Sequence, residues 1–226
     1  PGYSWNNPAC HGLLSSMHHA RPLLAVLLLL ASSSLVWGLT AAASPTLVQP
    51  LSVGVAMPAA TLRTADDQAV QLADLVEGRS TVLIFYRGGW CPYCTRQLAD
   101  LQEVEAGLTD LGYQLIALSP DRPFAVAEAM NKHHYAYRLF SDRGMEAAAA
   151  FGLAFRMDDE TRQAYEGYGF DLAPIPGEPE ARWLPVPAVF LVDRSGTIRF
   201  AHSDANYPQR LTPEELLVAA RRALNP

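Results

Sequence analysis

The chain reads as an α/β domain: a central mixed β-sheet flanked by helices. Three observations carry that reading. Two apolar runs, 81–86 and 113–118, flank a stretch in which Leu98, Leu101, Val104 and Leu108 recur at helical spacing, which makes a β-α-β unit with parallel strands. Residues 186–193 and 197–202, joined by Arg194-Ser195-Gly196, form an antiparallel hairpin and so make the sheet mixed. Thr212-Pro213-Glu214-Glu215 supplies an N-cap, a proline at the first helical position and acids in the first turn of a last helix that runs to Leu224.

In chain order, the first 43 residues stand apart from this pattern. Met17-His18-His19-Ala20-Arg21-Pro22 is a short basic segment, Leu23 to Leu30 is leucine-rich, and Ala41-Ala42-Ala43 offers a small-residue cleavage site before Ser44. We expect a leader over 1–43 containing a secretory signal peptide at 17–43, which exports the protein to the periplasm or beyond. The competing reading is an uncleaved anchor, since the apolar span approaches the ~20 residues that cross a bilayer. Residues 1–16 have no pattern, and Cys10 among them is given no role. Residues 44–58 are expected as an extended tether, and 59–226 as the folded domain.

Half of the 226 residues are hydrophobic, enough for one domain with a sizeable core. Setting 1–43 aside removes Arg21 and no acid, so 16 basic residues face 23 acidic ones, a net charge of −7. Such a balance gives no electrostatic footprint for nucleic acid. The membrane enters only through an uncleaved leader.

Within the domain, 61–63 and 69–71 flank the polar turn 65–68 and read as a β-hairpin, followed by a helical turn at 72–75. After the strand 81–86 and its helix, Gly112 stops the helix and 113–118 forms the second parallel strand. Ser119-Pro120-Asp121-Arg122-Pro123 turns into a helix from Phe124 to about His133. A third strand is expected at 137–140 and an alanine-rich helix at 145–151. Residues 154–185 mix charged, aromatic, Gly and Pro residues and read as an irregular insertion. Its aromatics, Phe155, Tyr165, Tyr168, Phe170 and Trp183, either line a partner groove or pin the insertion to the domain.

The chemistry is concentrated where the strand 81–86 ends. It runs out in Arg87-Gly88-Gly89-Trp90 and is followed by Cys91-Pro92-Tyr93-Cys94, which starts the amphipathic helix. Unpaired N–H groups and the positive end of the helix dipole stabilise a thiolate, and a Cys-x-x-Cys spacing on one turn lets either sulfur resolve the oxidised form of the other. A purely structural disulfide is the plainer alternative. It is weaker here because so short a loop constrains the unfolded chain little.

This element order, with Trp90-Cys91-Pro92-Tyr93-Cys94 at the strand exit and Val186-Pro187 before a late strand, resembles the thioredoxin fold. More narrowly, the chain resembles the peroxiredoxin-like branch of the alkyl hydroperoxide reductase C and thiol-specific antioxidant family, over about 55–224. Its most specific marks are 85–94 and 186–202.

Two registers compete for the motif. By resemblance to thioredoxins, Cys91 is the nucleophile, Cys94 the resolving thiol, Pro187 the proline of a cis peptide facing the sulfurs, and Trp90 a cover over them. By resemblance to peroxiredoxins, whose motif is Phe-Tyr-Pro then Thr-x-x-Cys, Cys94 falls on the peroxide-attacking cysteine and Cys91 on the threonine. Arg87 then falls on the proline, and Pro187 where the peroxide-polarising arginine is expected. Two of the three activating groups are thus absent from their usual places, and Arg87 is the candidate to supply the missing charge.

The resemblance implies a thiol-disulfide oxidoreductase with hydroperoxide-reducing activity, cycling Cys91 and Cys94 at the expense of an external, thioredoxin-like thiol donor, with no cofactor. The alternatives are a protein disulfide reductase without significant peroxidase activity, or a non-catalytic binding module on the same fold. Adjacent His133 and His134 point apart on a helix and lack a third ligand, so no metal site is expected; His202 reads as structural, and Gly88-Gly89 lacks the lysine and spacing of a phosphate loop.

Overall fold

The computed structural model describes residues 40–224. The leader expected over 1–43 therefore lies, up to residue 39, outside the described residues. Among those that are described, no helix is long and apolar enough to cross a membrane.

The elements begin with β1 (Thr61–Arg63) and β2 (Ala69–Gln71), paired antiparallel as the hairpin pattern predicts. Helix α1 (Leu72–Val76) leads to β3 (Ser80–Phe85), after which α2 (Pro92–Glu103) and α3 (Glu105–Asp110) cross over to β4 (Tyr113–Ser119). The single helix expected there is divided at Val104, whose φ of −107° and ψ of 1° leave the helical region. Next come α4 (Pro123–His133), β5 (Arg138–Ser141) and α5 (Glu146–Ala150).

The insertion is more regular than its sequence suggests. It holds β6 (Ala154–Arg156), α6 (Asp159–Gly167), β7 (Pro174–Ile175) and β8 (Glu178–Pro185), with the strands in a small sheet ordered β6-β8-β7. Two local devices build it. Asp158 caps α6 by accepting from the Thr161 backbone N–H at 2.8 Å. Pro176 and Gly177 turn β7 into β8, with Gly177 at φ +80°, the geometry of a type II turn. The chain ends with β9 (Ala188–Val192), β10 (Ile198–Ser203) and α7 (Pro213–Ala223), whose N-terminus is closed by a reciprocal Thr212–Glu215 capping box.

The main sheet is ordered β10-β9-β3-β4-β5-β1-β2. Strands β3, β4 and β5 are parallel, while β9 runs antiparallel to β3. Strand β3 lies near the centre and is buried at every position, so its alternate side chains feed both layers. Leu83 and Phe85 join Phe151, Phe190 and Trp183 on one face. Val82, Ile84 and Tyr86 join Leu98, Leu108 and Leu216 on the other.

The segment 40–58 is hydrogen-bonded onto the domain: Ala42 N–H donates to Ala154 O at 2.9 Å, Leu51 N–H to Phe151 O at 3.1 Å and Met57 N–H to Gly196 O at 2.7 Å. Its passage requires glycine at 152, where a Cβ would stand 2.0 Å from Gln49 O.

Candidate active site

The site forms at the carboxyl end of β3, where the chain leaves the sheet for α2, the usual place for chemistry in an open α/β sheet. Tyr86 and Arg87 remain buried after the strand ends. Gly88 then turns the chain at φ +144°. A Cβ there would meet Trp90 Nε1 at 2.4 Å and Asp121 Oδ1 at 2.9 Å, so only glycine fits. Asp121 fixes the next residue by accepting from Gly89 N–H at 2.8 Å, and the Ser119 hydroxyl donates to the same carboxylate oxygen at 2.8 Å. Burial pushes the Asp121 carboxyl up from its ordinary range.

Cys91 is the N-cap of α2 and Pro92 its first residue, which places Cys94 on the first turn, as the sequence predicts. Both cysteines are free thiols and both are buried, at 1% and 0% exposure. The pair shares its protons unequally. The Cys91 thiol is held down to about 6 by the Cys94 thiol, which hydrogen-bonds to it, against the opposing effect of burial; the Cys94 backbone amide and the positive charges of Arg87 and Arg210 add to the depression. Cys94 is pushed up by the same hydrogen bond and by burial.

Arg87 points inward, at 5% exposure. Its Nη2 donates to the Tyr165 hydroxyl at 2.9 Å, and its guanidinium lies 4.0 Å from the ring centre of Tyr207 and 5.3 Å from that of Trp90. From the loop between β10 and α7, Arg210 directs Nη2 to Cys94 Sγ at 3.7 Å, while its buried Nε meets no acceptor among the described residues.

What sets these two arginines apart is their place beside the cysteine pair. Eight others among the described residues, for example Arg143 with Asp171 and Arg199 with Asp193, form ion pairs with carboxylates. Arg87, which is buried, and Arg210, which is half-buried, form no ion pair with a carboxylate among the described residues. A buried, unpaired cation costs several kcal/mol. The Cys91 thiol, held down to about 6, is the neighbouring group able to become an anion.

The remaining sequence-predicted residues divide. Trp90 is half-buried and stacks on Phe170, with centroids 4.5 Å apart and planes 17° apart. Tyr93 is 46% exposed and packs edge-on against Tyr207 at 5.7 Å. Val186 and Pro187 are buried. Phe85 is paired with Ala188, so one further step of that register sets Pro187 beside Tyr86, at the cysteine end of the sheet.

Of the insertion's aromatics, Trp183 is fully buried and Tyr168 is 74% exposed, whereas Tyr165 and Phe170 reach the site itself. Arg210 and Tyr207 escape sequence reasoning altogether. They lie in a patternless loop more than 110 residues from the cysteines, and no local signal joins them to the motif.

A thioredoxin-like α/β domain with a buried pair of free cysteines at a strand exit has the make-up of a thiol-dependent oxidoreductase. The chain belongs to the AhpC/TSA family, whose model matches residues 53–201. A putative peroxiredoxin of Haemophilus influenzae is 33% identical over 106 residues, covering 47% of this chain and 68% of that protein. A chloroplastic peroxiredoxin Q of Oryza sativa is 24% identical over 168 residues, covering 74% of this chain and 66% of that one. Among solved structures, reduced Prx3 from Vibrio vulnificus in complex with H2O2 superposes with a TM-score of 0.61 at 17% identity, over 75% of this chain and 99% of that one. That likeness is one of fold.

Proposed function

We propose that this protein reduces hydroperoxides at the expense of an external thiol, with Cys91 as the attacking thiolate and Cys94 as the resolving thiol. The observation that carries the reading is a cysteine pair poised to form a thiolate yet shut off from solvent. A protein disulfide has to bring its own sulfur in line with the attacking one, and a buried pair leaves no room for it. A peroxide is little larger than water and needs only a narrow opening. The family relatives named peroxiredoxins support the same reading.

In the first step the Cys91 thiolate attacks the terminal peroxide oxygen. The O–O bond breaks, the alkoxide leaves as alcohol with a proton from solvent, and Cys91 becomes a sulfenic acid. Cys94 then attacks that sulfur, water departs, and the Cys91–Cys94 disulfide forms. Two thiols from a thioredoxin-like donor return the pair to the dithiol, so one hydroperoxide and two thiols yield an alcohol, water and a disulfide. Oxidation also removes the negative charge that faces Arg87 and Arg210. The donor's thiol reaches the pair only after this oxidation, when the loop carrying Tyr207 and Arg210 no longer faces a thiolate.

The test mixes reduced protein with hydrogen peroxide or an organic hydroperoxide, and separately with insulin. We expect two thiols lost per peroxide and no comparable reduction of insulin. Because the group that must lose its proton is the depressed Cys91 thiol, the rate constant rises about tenfold per pH unit below about 6 and levels off above it. Insulin reduction with no peroxide loss would overturn the reading.

The proposal extends to an exported location, supported by the leader-like residues 17–43. Amino-terminal sequencing of the protein recovered from its native cell should begin at or near Ser44. Recovery of the leader in a soluble cytoplasmic form would sink this part of the proposal alone.

A further inference from the structure

The segment 154–185 is pinned to the domain at points that aim α6 at the redox loop. Arg143 Nη2 donates to Asp171 Oδ1 at 2.8 Å and to Leu172 O at 3.1 Å, and Arg122 Nε donates to Asp171 Oδ2 at 2.6 Å. This clamp holds the neighbouring Phe170 on Trp90. Within the segment, Glu166 is gripped by Arg162 at 2.7 Å and by Arg182 of β8 at 3.1 Å, which ties α6 to the small sheet. Tyr165, one residue before Glu166, is thereby delivered edge-on to Trp90 at 5.5 Å and edge-on to Phe170 at 5.6 Å.

Its hydroxyl oxygen is the hydrogen-bond acceptor that the Arg87 guanidinium meets among the described residues. Otherwise that guanidinium is surrounded by the ring faces of Trp90, Tyr165 and Tyr207, which attract a cation without fixing where its N–H groups point. A directional bond does fix it.

We infer that Tyr165 is a positioning residue of the redox site: its hydroxyl locks the Arg87 guanidinium where it serves as counter-charge to the Cys91 thiolate. The insertion is then a working part of the active site, and the sequence signature of that role is one tyrosine on a short capped helix. The inference rests on the reading of Cys91 as the reactive thiolate, but its test needs no substrate.

The experiment is a pH titration of the thiolate ultraviolet absorbance in the reduced full-length protein, comparing wild type with Tyr165→Phe, Arg87→Met and the double variant. Mass mapping of alkylated protein assigns the titrating sulfur. Wild type should titrate near 6 at Cys91. Tyr165→Phe keeps the ring and should move the midpoint up by about half a unit to one unit, equivalent to about three- to tenfold less thiolate on the acid side. Added to Arg87→Met, the same change should move nothing further, because Tyr165 acts through that arginine.

A midpoint in Tyr165→Phe equal to wild type overturns the inference while leaving the chemistry of Cys91 intact. An equal further shift in the Arg87→Met background also overturns it, since that is what general loosening of the site would do. A wild-type protein with no thiolate at Cys91 in this range sinks the parent reading, and the inference with it.

Discussion

Cys91→Ser should lower the rate of hydroperoxide reduction by more than about a thousandfold, the scale of loss when a covalent nucleophile is removed. Cys94→Ser should behave differently. It leaves the attacking sulfur in place but removes the thiol that condenses with the sulfenic acid, so reduced Cys94→Ser should consume one equivalent of peroxide and stop. The arrested Cys91 sulfenic acid is then trapped with a cyclic diketone and located by mass. The serine hydroxyl can still donate toward Cys91 in place of the Cys94 thiol, so this first equivalent should be consumed with a pH dependence close to that of wild type. The opposite pattern, with sulfenic acid trapped on Cys94 in Cys91→Ser, would move the attack to the sulfur that the family's Thr-x-x-Cys register implies.

What the sequence made legible were features written over short distances. The hairpin of β1 and β2 follows from six alternating residues and a polar turn, and the Thr212–Glu215 box announces α7. The place of the cysteines follows from an apolar strand running directly into an amphipathic helix. Strand β8 was hidden because it opens with Glu178-Pro179-Glu180, three exposed residues that erase the alternation and include a proline. Its buried half, Ala181 with Trp183 to Pro185, is too short to read as a strand without knowing that β6 and β7 lie beside it. The break at Val104 leaves no trace either, since Leu98, Leu101 and Leu108 keep helical spacing through it.

The electrostatic half of the site was legible only in part. Arg87 stood out because it adjoins the motif, but its burial among aromatic rings depends on Tyr165 and Tyr207, which topology alone brings near. Nothing in the sequence joins Arg210 to the motif, and it comes to Cys94 from a loop after the last strand.

Arg210 is the second position where an effect is expected. Its Nη2 lies 3.7 Å from Cys94 Sγ, it forms no ion pair with a carboxylate among the described residues, and its field reaches both sulfurs. A nearby opposite charge favours the ionised form of a thiol, and more weakly the farther off it stands. The thiolate forms on Cys91, where the field of Arg210 is weaker than that of Arg87, so Arg210→Met should raise the thiolate midpoint by less than Arg87→Met does and lower peroxide reduction a few-fold near pH 6, with the deficit shrinking as pH rises. Arg210→Lys restores the charge without the planar fork and should recover only part of the loss.

Stability should move little. Removing a half-buried cation that has no acid partner among the described residues should cost little in the reduced protein below the thiolate midpoint, where no anion offsets it, so the melting temperature of Arg210→Met should stay close to wild type there. Above the midpoint the thiolate contributes its attraction, which the variant lacks. An Arg210→Met protein with an unshifted thiolate titration and a uniform loss of rate at every pH would show that the arginine shapes the loop and leaves the charge on the sulfurs to Arg87 and the end of α2.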